Sequence, residues 1–135
     1  MPLSAEECRR LVEAAQARAA QIRVRVTVAV VDEGGLLLAL ARMDGAPPLS
    51  AQIAEGKACG AALWHRDGGS LAQVAQERPA FFEAVARMVR VPVMPGLGSV
   101  LIRRKDAVLG AVGVSGAKPE QDLDCAEAGL RAIAG

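Results

Sequence analysis

The chain has 135 residues, a length that makes one domain (1–135) the expectation and lets roughly two-thirds of its unfolded surface be buried. Its net charge is +1 with Lys and Arg spread throughout, which argues against a nucleic-acid-binding basic face and against a polybasic membrane anchor. One Trp, two Phe and no Tyr leave little on which to stack bases, and a hydrophobic content of 52% points to an apolar interface between copies of the chain.

No apolar run is long enough to span a bilayer, and the first residues lack the basic and apolar regions of a signal peptide. Cys8, Cys59 and Cys125 form an odd set without metal-ligand spacing, so they read as reduced thiols of a cytoplasmic protein with no structural metal.

Ser4-Ala5-Glu6-Glu7 is a capping box, in which Ser4 accepts from the third helical N–H while Glu7 reaches back. Cys8, Leu11, Val12, Ala15, Ala19 and Ile22 then recur as the stripe of an amphipathic helix ending near Gln21, expected to cover a sheet. From Arg23 to Asp32 the period becomes two, with Val24, Val26, Val28 and Val30 on one strongly apolar face of a strand. Glu33-Gly34-Gly35 supplies a hairpin turn and Leu36 to Arg42 returns as a second strand. Met43-Asp44-Gly45-Ala46-Pro47-Pro48 ends it.

Ser50 is placed to cap a long helix from about Ala51 to Trp64, whose broad face of small residues is interrupted by Lys57. Arg66 to Gly69 reads as a loop, with Ser70 opening a short helix. Pro79 starts another, its expected buried stripe being Phe81, Phe82, Val85, Met88 and Val89. Ser99 to Arg103 and Ala107 to Val114 are strands joined at Lys105-Asp106, and Pro119 opens a closing helix lined by Leu123, Ala126, Leu130 and Ile133. The order α-β-β-α-α-α-β-β-α, with two tight hairpins, implies an α+β fold: an antiparallel sheet of four to five strands covered by helices.

Gly110, Gly113 and Gly116 remove side chains where a backbone or ligand comes close, and the N–H groups from Ser115 to Glu120 make a cradle for an anion or carbonyl. The alternative is a well-packed strand leading into a helix. Ser115 can hydrogen-bond a ligand, but no base follows it, which argues against serine-hydrolase chemistry. His65 is the one histidine, at the end of the long helix, where it could ligate haem iron, act as a base or meet the helix dipole. Arg42, Asp44, Glu55 and Lys57 form a polar set that folding could gather at one rim, against the alternative of a solvated rim with local ion pairs.

Val28-Ala29-Val30-Val31-Asp32-Glu33-Gly34-Gly35, then Arg42-Met43-Asp44-Gly45-Ala46 and Lys57-Ala58, resemble the GlcG/HbpS family. Pro95-Gly96 and Val108 through Gly116 agree, as do Glu120-Gln121-Asp122 to Ala126 and Gly129-Leu130, so the resemblance runs along almost the whole chain. It implies an antiparallel sheet with helices, a homo-oligomer, and a role in binding haem, a related tetrapyrrole or another small molecule. Ligand-binding positions carried by the resemblance and by the polar set are Arg42, Asp44, Lys57, Gly113, Ser115 and Gly116. The first helix departs from the haem-binding pattern in having no histidine, which leaves Cys8 beside His65 as an iron-ligand candidate. Two further readings stand beside the binding module: an accessory enzyme for a small hydroxy- or oxo-acid, with Lys57 orienting an anion and Asp44 moving protons, and a non-catalytic oligomeric component of a metabolic operon.

Overall fold

The structure is a computed structural model that describes residues 2–134. Its elements follow the expected order: α1 (Ala5–Gln21), β1 (Thr27–Asp32), β2 (Leu37–Arg42), α2 (Ser50–Trp64), α3 (Gly68–Glu77), α4 (Pro79–Ala86), β3 (Ser99–Arg104), β4 (Ala107–Ser115) and α5 (Pro119–Ala132). The four strands make one antiparallel sheet in the order β2-β1-β4-β3. No helix of the described residues is long and apolar enough to cross a membrane.

Two cores sandwich the sheet. On one face Val28, Val30, Val112 and Val114 pack against Leu11 and Ala15 of α1 and against Cys125 and Ala126 of α5. On the other, Ala29, Val31 and Ala111 meet Ala54, Ala58, Ala61 and Ala62 of α2. Each fully buried valine contributes about 2 kcal/mol by area removed from water. The expectation of a single strongly apolar face on β1 is corrected: β1 is central, so Ala29 and Val31 on its other face are as fully buried as Val28 and Val30. Small side chains on that second face let α2 lie close. At Gly113 the approach is closest, since a Cβ there would stand 2.3 Å from the Ala54 carbonyl oxygen.

The capping box forms as read, with Glu7 N–H donating to Ser4 Oγ at 3.1 Å and Ser4 N–H donating to Glu7 Oε1 at 3.0 Å. β1 starts at Thr27, not Arg23, because α1 closes with a Schellman motif. In it the Val24 N–H donates to the Ala19 carbonyl at 2.9 Å, and Arg23 takes the left-handed conformation with φ 62°.

Three further expectations are corrected. Ser50 does not cap α2 but lies in its first turn, its buried hydroxyl 2.8 Å from Thr27 Oγ1. The helix α3 begins at Gly68, two residues before Ser70, while the Asp67 carboxylate accepts the Leu101 N–H at 2.8 Å. Finally, α4 buries only Phe82 of its expected stripe; Phe81 and Met88 are exposed. That helix packs on α3 and stacks Phe82 on Trp64 at 5.5 Å instead of covering the sheet, so a full apolar stripe has nothing to face.

Candidate functional site

The end of the sheet where α1 finishes and β2 stops holds a cleft of about 700 Å³, lined by Gln16, Ala20, Val24, Ala41 and Met43, with Arg23, Arg25, Arg42 and Asp44 around it. Local chain geometry fixes each arginine. Arg23 occupies the left-handed helix-end position, and Arg25 follows two residues later, just before β1 begins. Arg42 ends β2 opposite Thr27 in the register. Backbone carbonyls then orient the guanidinium groups: Arg25 Nη1 donates to Asp44 O at 2.7 Å, and Arg42 Nε and Nη2 both donate to Ala46 O, at 3.1 and 2.9 Å. Gln16 Nε2 ties α1 to this end by donating to Ala41 O at 3.3 Å. A guanidinium offers five donors in a planar fork, so groups held by one carbonyl keep others for a carboxylate or phosphate.

A smaller groove of about 240 Å³ between α1 and β2 adjoins the cleft at Ala41, lined by Ala5, Cys8, Val12, Leu38 and Leu40 with the Arg9–Glu13 ion pair beside them. Cys8 lies in its wall, 2% exposed, and burial raises its thiol above the ordinary cysteine range. Beside it β2 is an edge strand whose Leu37, Leu38 and Leu40 are 46%, 44% and 38% exposed.

Of the expected polar set, the structure brings Arg42 and Asp44 to this cleft but not Glu55 or Lys57. Glu55 borders a separate apolar groove with Ile53, Val91 and Met94. Lys57 is buried behind the sheet, where its Nζ donates to Val114 O at 2.9 Å and to Asp122 Oδ2 at 3.1 Å. Gly98 crosses directly over it, leaving no room for a side chain. Burial pushes the Asp122 carboxyl up, with the Lys57 charge and the Ala117 N–H acting against that shift.

Two N–H groups of the expected cradle after Ser115 are taken by the chain itself. Ala117 N–H donates to Asp122 Oδ1 at 3.1 Å and Lys118 N–H to Gln121 Oε1 at 3.1 Å. Ser115 is 6% exposed at the end of β4, Gly113 seats α2, and Gly116 turns with φ 128° against the Arg25 carbonyl. His65 is exposed at the end of α2 with φ 54°. Ser50 at the start of that helix touches Thr27 beside Arg42, whereas Cys59 near its end donates to Gly35 O at 3.2 Å. His65 therefore stands at the hairpin end of β1, opposite the arginine cleft.

Sequence reasoning missed Arg23, Arg25 and Asp122. Arg23 and Arg25 read as the polar positions of a strand; the signal was their repetition on alternate residues just after a helix end. Asp122 was legible as the acid in the α5 row Asp122, Cys125, Ala126, Gly129, all of them buried.

A family model described as "Haem degrading protein HbpS-like" matches residues 3–131. The chain is 32% identical over 133 residues to the corrinoid adenosyltransferase PduO of Citrobacter freundii, 98% of this chain but only 39% of that protein's length. It is 37% identical over 115 residues to protein GlcG of Escherichia coli (strain K12), covering 84% of this chain and 81% of GlcG. Its fold matches the crystal structure of a PduOC–haem complex with TM-score 0.89 at 30% identity, covering 98% of this chain and 96% of that one.

Proposed function

Because the chain belongs to the HbpS-like (GlcG/HbpS) family, we propose that it is a small-ligand-binding domain whose α1–β2 groove takes an anionic ligand of the haem class. The observation that carries this reading is the set of three arginines at one end of an apolar groove. Arg25 and Arg42, held by backbone carbonyls, meet paired carboxylates with little further ordering, and Val24, Ala41 and Met43 receive an apolar body. The exposed leucines of β2 support a homo-oligomer in which a second copy of the chain completes the groove's outer wall.

The groove fits the carboxylate end of a haem, and when bound a haem supplies a redox-active iron. Cys8 is the sulfur donor in the groove wall, a thiol that burial keeps protonated, so ligation there requires its proton to leave. His65 faces elsewhere. Three buried free thiols support a reducing, cytoplasmic setting. The enzyme alternative needs Asp44, Lys57 and Ser115 together, and the fold separates Asp44 from the other two, which favours binding over acid–base chemistry.

A haemin titration followed by absorbance tests the reading. The expected result is a saturable Soret shift at about one equivalent per chain, weakened about tenfold or more in Arg25→Glu/Arg42→Glu and retained in His65→Ala. Non-saturable absorbance, or a shift indifferent to the arginine reversals, would overturn it. Loss in Cys8→Ala with the fold intact supports ligation by that thiol.

A further inference from the structure

The opposite edge of the sheet carries a second groove, of about 730 Å³, running along β3 and under the end of α5. We propose that it is a separate ligand site for a single-chain amphipathic carboxylate. Its floor and inner wall are apolar: Ile102 and Leu109 from the sheet, Leu130 from α5 and Ile133 at its C-terminal end. Its mouth is cationic, formed by Arg103 and Lys105 at the β3–β4 turn.

The fold builds that mouth deliberately. The register slips between Ile102 and Arg103, where Leu109 is the extra residue of a β-bulge on β4 that sharpens the twist at this end of the hairpin. Lys105 holds the turn in the left-handed conformation, φ 57°, which a glycine or asparagine takes at lower cost. Among the described residues neither Arg103 nor Lys105 has an ion-pair partner, whereas Arg104 between them is paired with Glu7. Two carboxylates also border the groove. Asp67 is committed to the Leu101 N–H, and Glu127 lies on α5.

An elongated apolar floor with positive charge at one end selects a ligand of the same polarity, an alkyl chain ending in a carboxylate. A compact polar acid would leave the floor unfilled, and a neutral alkane would gain nothing from the cations. From Val100 to Lys105 the strand extends about 17 Å, so the groove takes a chain laid along it. This site lies on β3, whereas the arginine cleft lies on β2, so the two readings stand or fall independently.

The test is a titration of the isotopically labelled protein with decanoate, kept below its self-association concentration and followed by amide chemical shifts. The expected result is saturable binding with shifts concentrated in residues 100–109 and 127–134. Affinity should fall about tenfold or more in Arg103→Glu/Lys105→Glu, and decanol should bind correspondingly more weakly than decanoate. Both substituted side chains are exposed, so an otherwise unchanged spectrum will certify that the variant is folded. Equal affinity in the charge-reversed protein, shifts concentrated in residues 16–44, or shifts that never saturate would each overturn the proposal.

Discussion

Lys57 Nζ lies 3.1 Å from Asp122 Oδ2 with both side chains buried, and the pair fastens the first half of α2 to the first turn of α5 across the end of β4. The Val114 carbonyl and the Ala117 N–H complete it, so every charge has a partner. Removing one side strands the other in a medium that solvates it poorly. Lys57→Met should cost about 3–5 kcal/mol in urea unfolding, and Lys57→Met/Asp122→Leu should recover most of it. Equal costs for the single and double variants would show that the charges contribute little beyond packing.

Arg23 occupies a helix-end position that glycine takes without strain. Arg23→Gly should therefore raise stability by up to about 1 kcal/mol while weakening haemin binding. Thermal melting and the titration on one preparation check both halves. A variant that gains stability and binds as before would release Arg23 from any part in the cleft.

At Gly113 an added methyl group meets the α2 backbone from two sides, 2.3 Å from Ala54 O and 2.7 Å from Ala58 N. Helix backbone cannot yield as a side chain can. Gly113→Ala should cost about 3 kcal/mol or more and lift α2 from the sheet, seen as faster amide exchange on both elements.

The carboxyls of Asp122 and Asp124, two residues apart on α5, titrate with opposite consequences. Hydrogen bonding to Arg18 lowers Asp124, whose contribution is present above the unfolded value and lost as pH falls through its folded value. Asp124→Asn should thus flatten the acid limb below about pH 4, by well under 1 kcal/mol since the pair is partly exposed. Burial raises Asp122, so its contribution is lost as pH rises from the unfolded value through the folded one. Asp122→Asn should remove that opposite slope. Melting temperatures across pH 3 to 6 would separate the two.

Cys59 and Cys125 are pushed up to about 11 by burial, and Cys8 is raised by the same cause. At neutral pH all three are thiols shielded from reagent. Iodoacetamide should leave the folded protein unmodified while alkylating all three positions in urea, read by intact mass. Rapid labelling of native Cys8 would mean that the α1–β2 groove opens to solvent.

Most of the element order was legible because its signals are local: the Ser4–Glu7 box, the Gly34-Gly35 turn, Pro79 and Pro119 at helix starts. What escaped depends on partners far along the chain. Ser50 looks like a cap until Thr27, 23 residues away, claims its hydroxyl. Lys57 announced itself as a misfit on an alanine face, but its partner is 65 residues away. The stripe on α4 is a true helical period, yet burial needs a facing surface, and the chain gives that helix only α3 and Trp64. For the candidate site, Arg42 and Asp44 could be set side by side from their position at a strand end, whereas Arg23 and Arg25 join them only once α1 turns back.

The two borders of the sheet are finished differently. On β3 the Asp67 carboxylate occupies the Leu101 N–H, and positive charge follows at Arg103 to Lys105; on β2 neutral leucines lie open. A chain that joins another through β2 thereby spends its receptive border, and what each partner still presents is the guarded one. Sheet extension of this kind halts at a pair and leaves nothing to propagate. The side chains that shape the groove along β3 are thus of the kind that blunts a sheet edge, to which an open leucine-rich strand would otherwise pair.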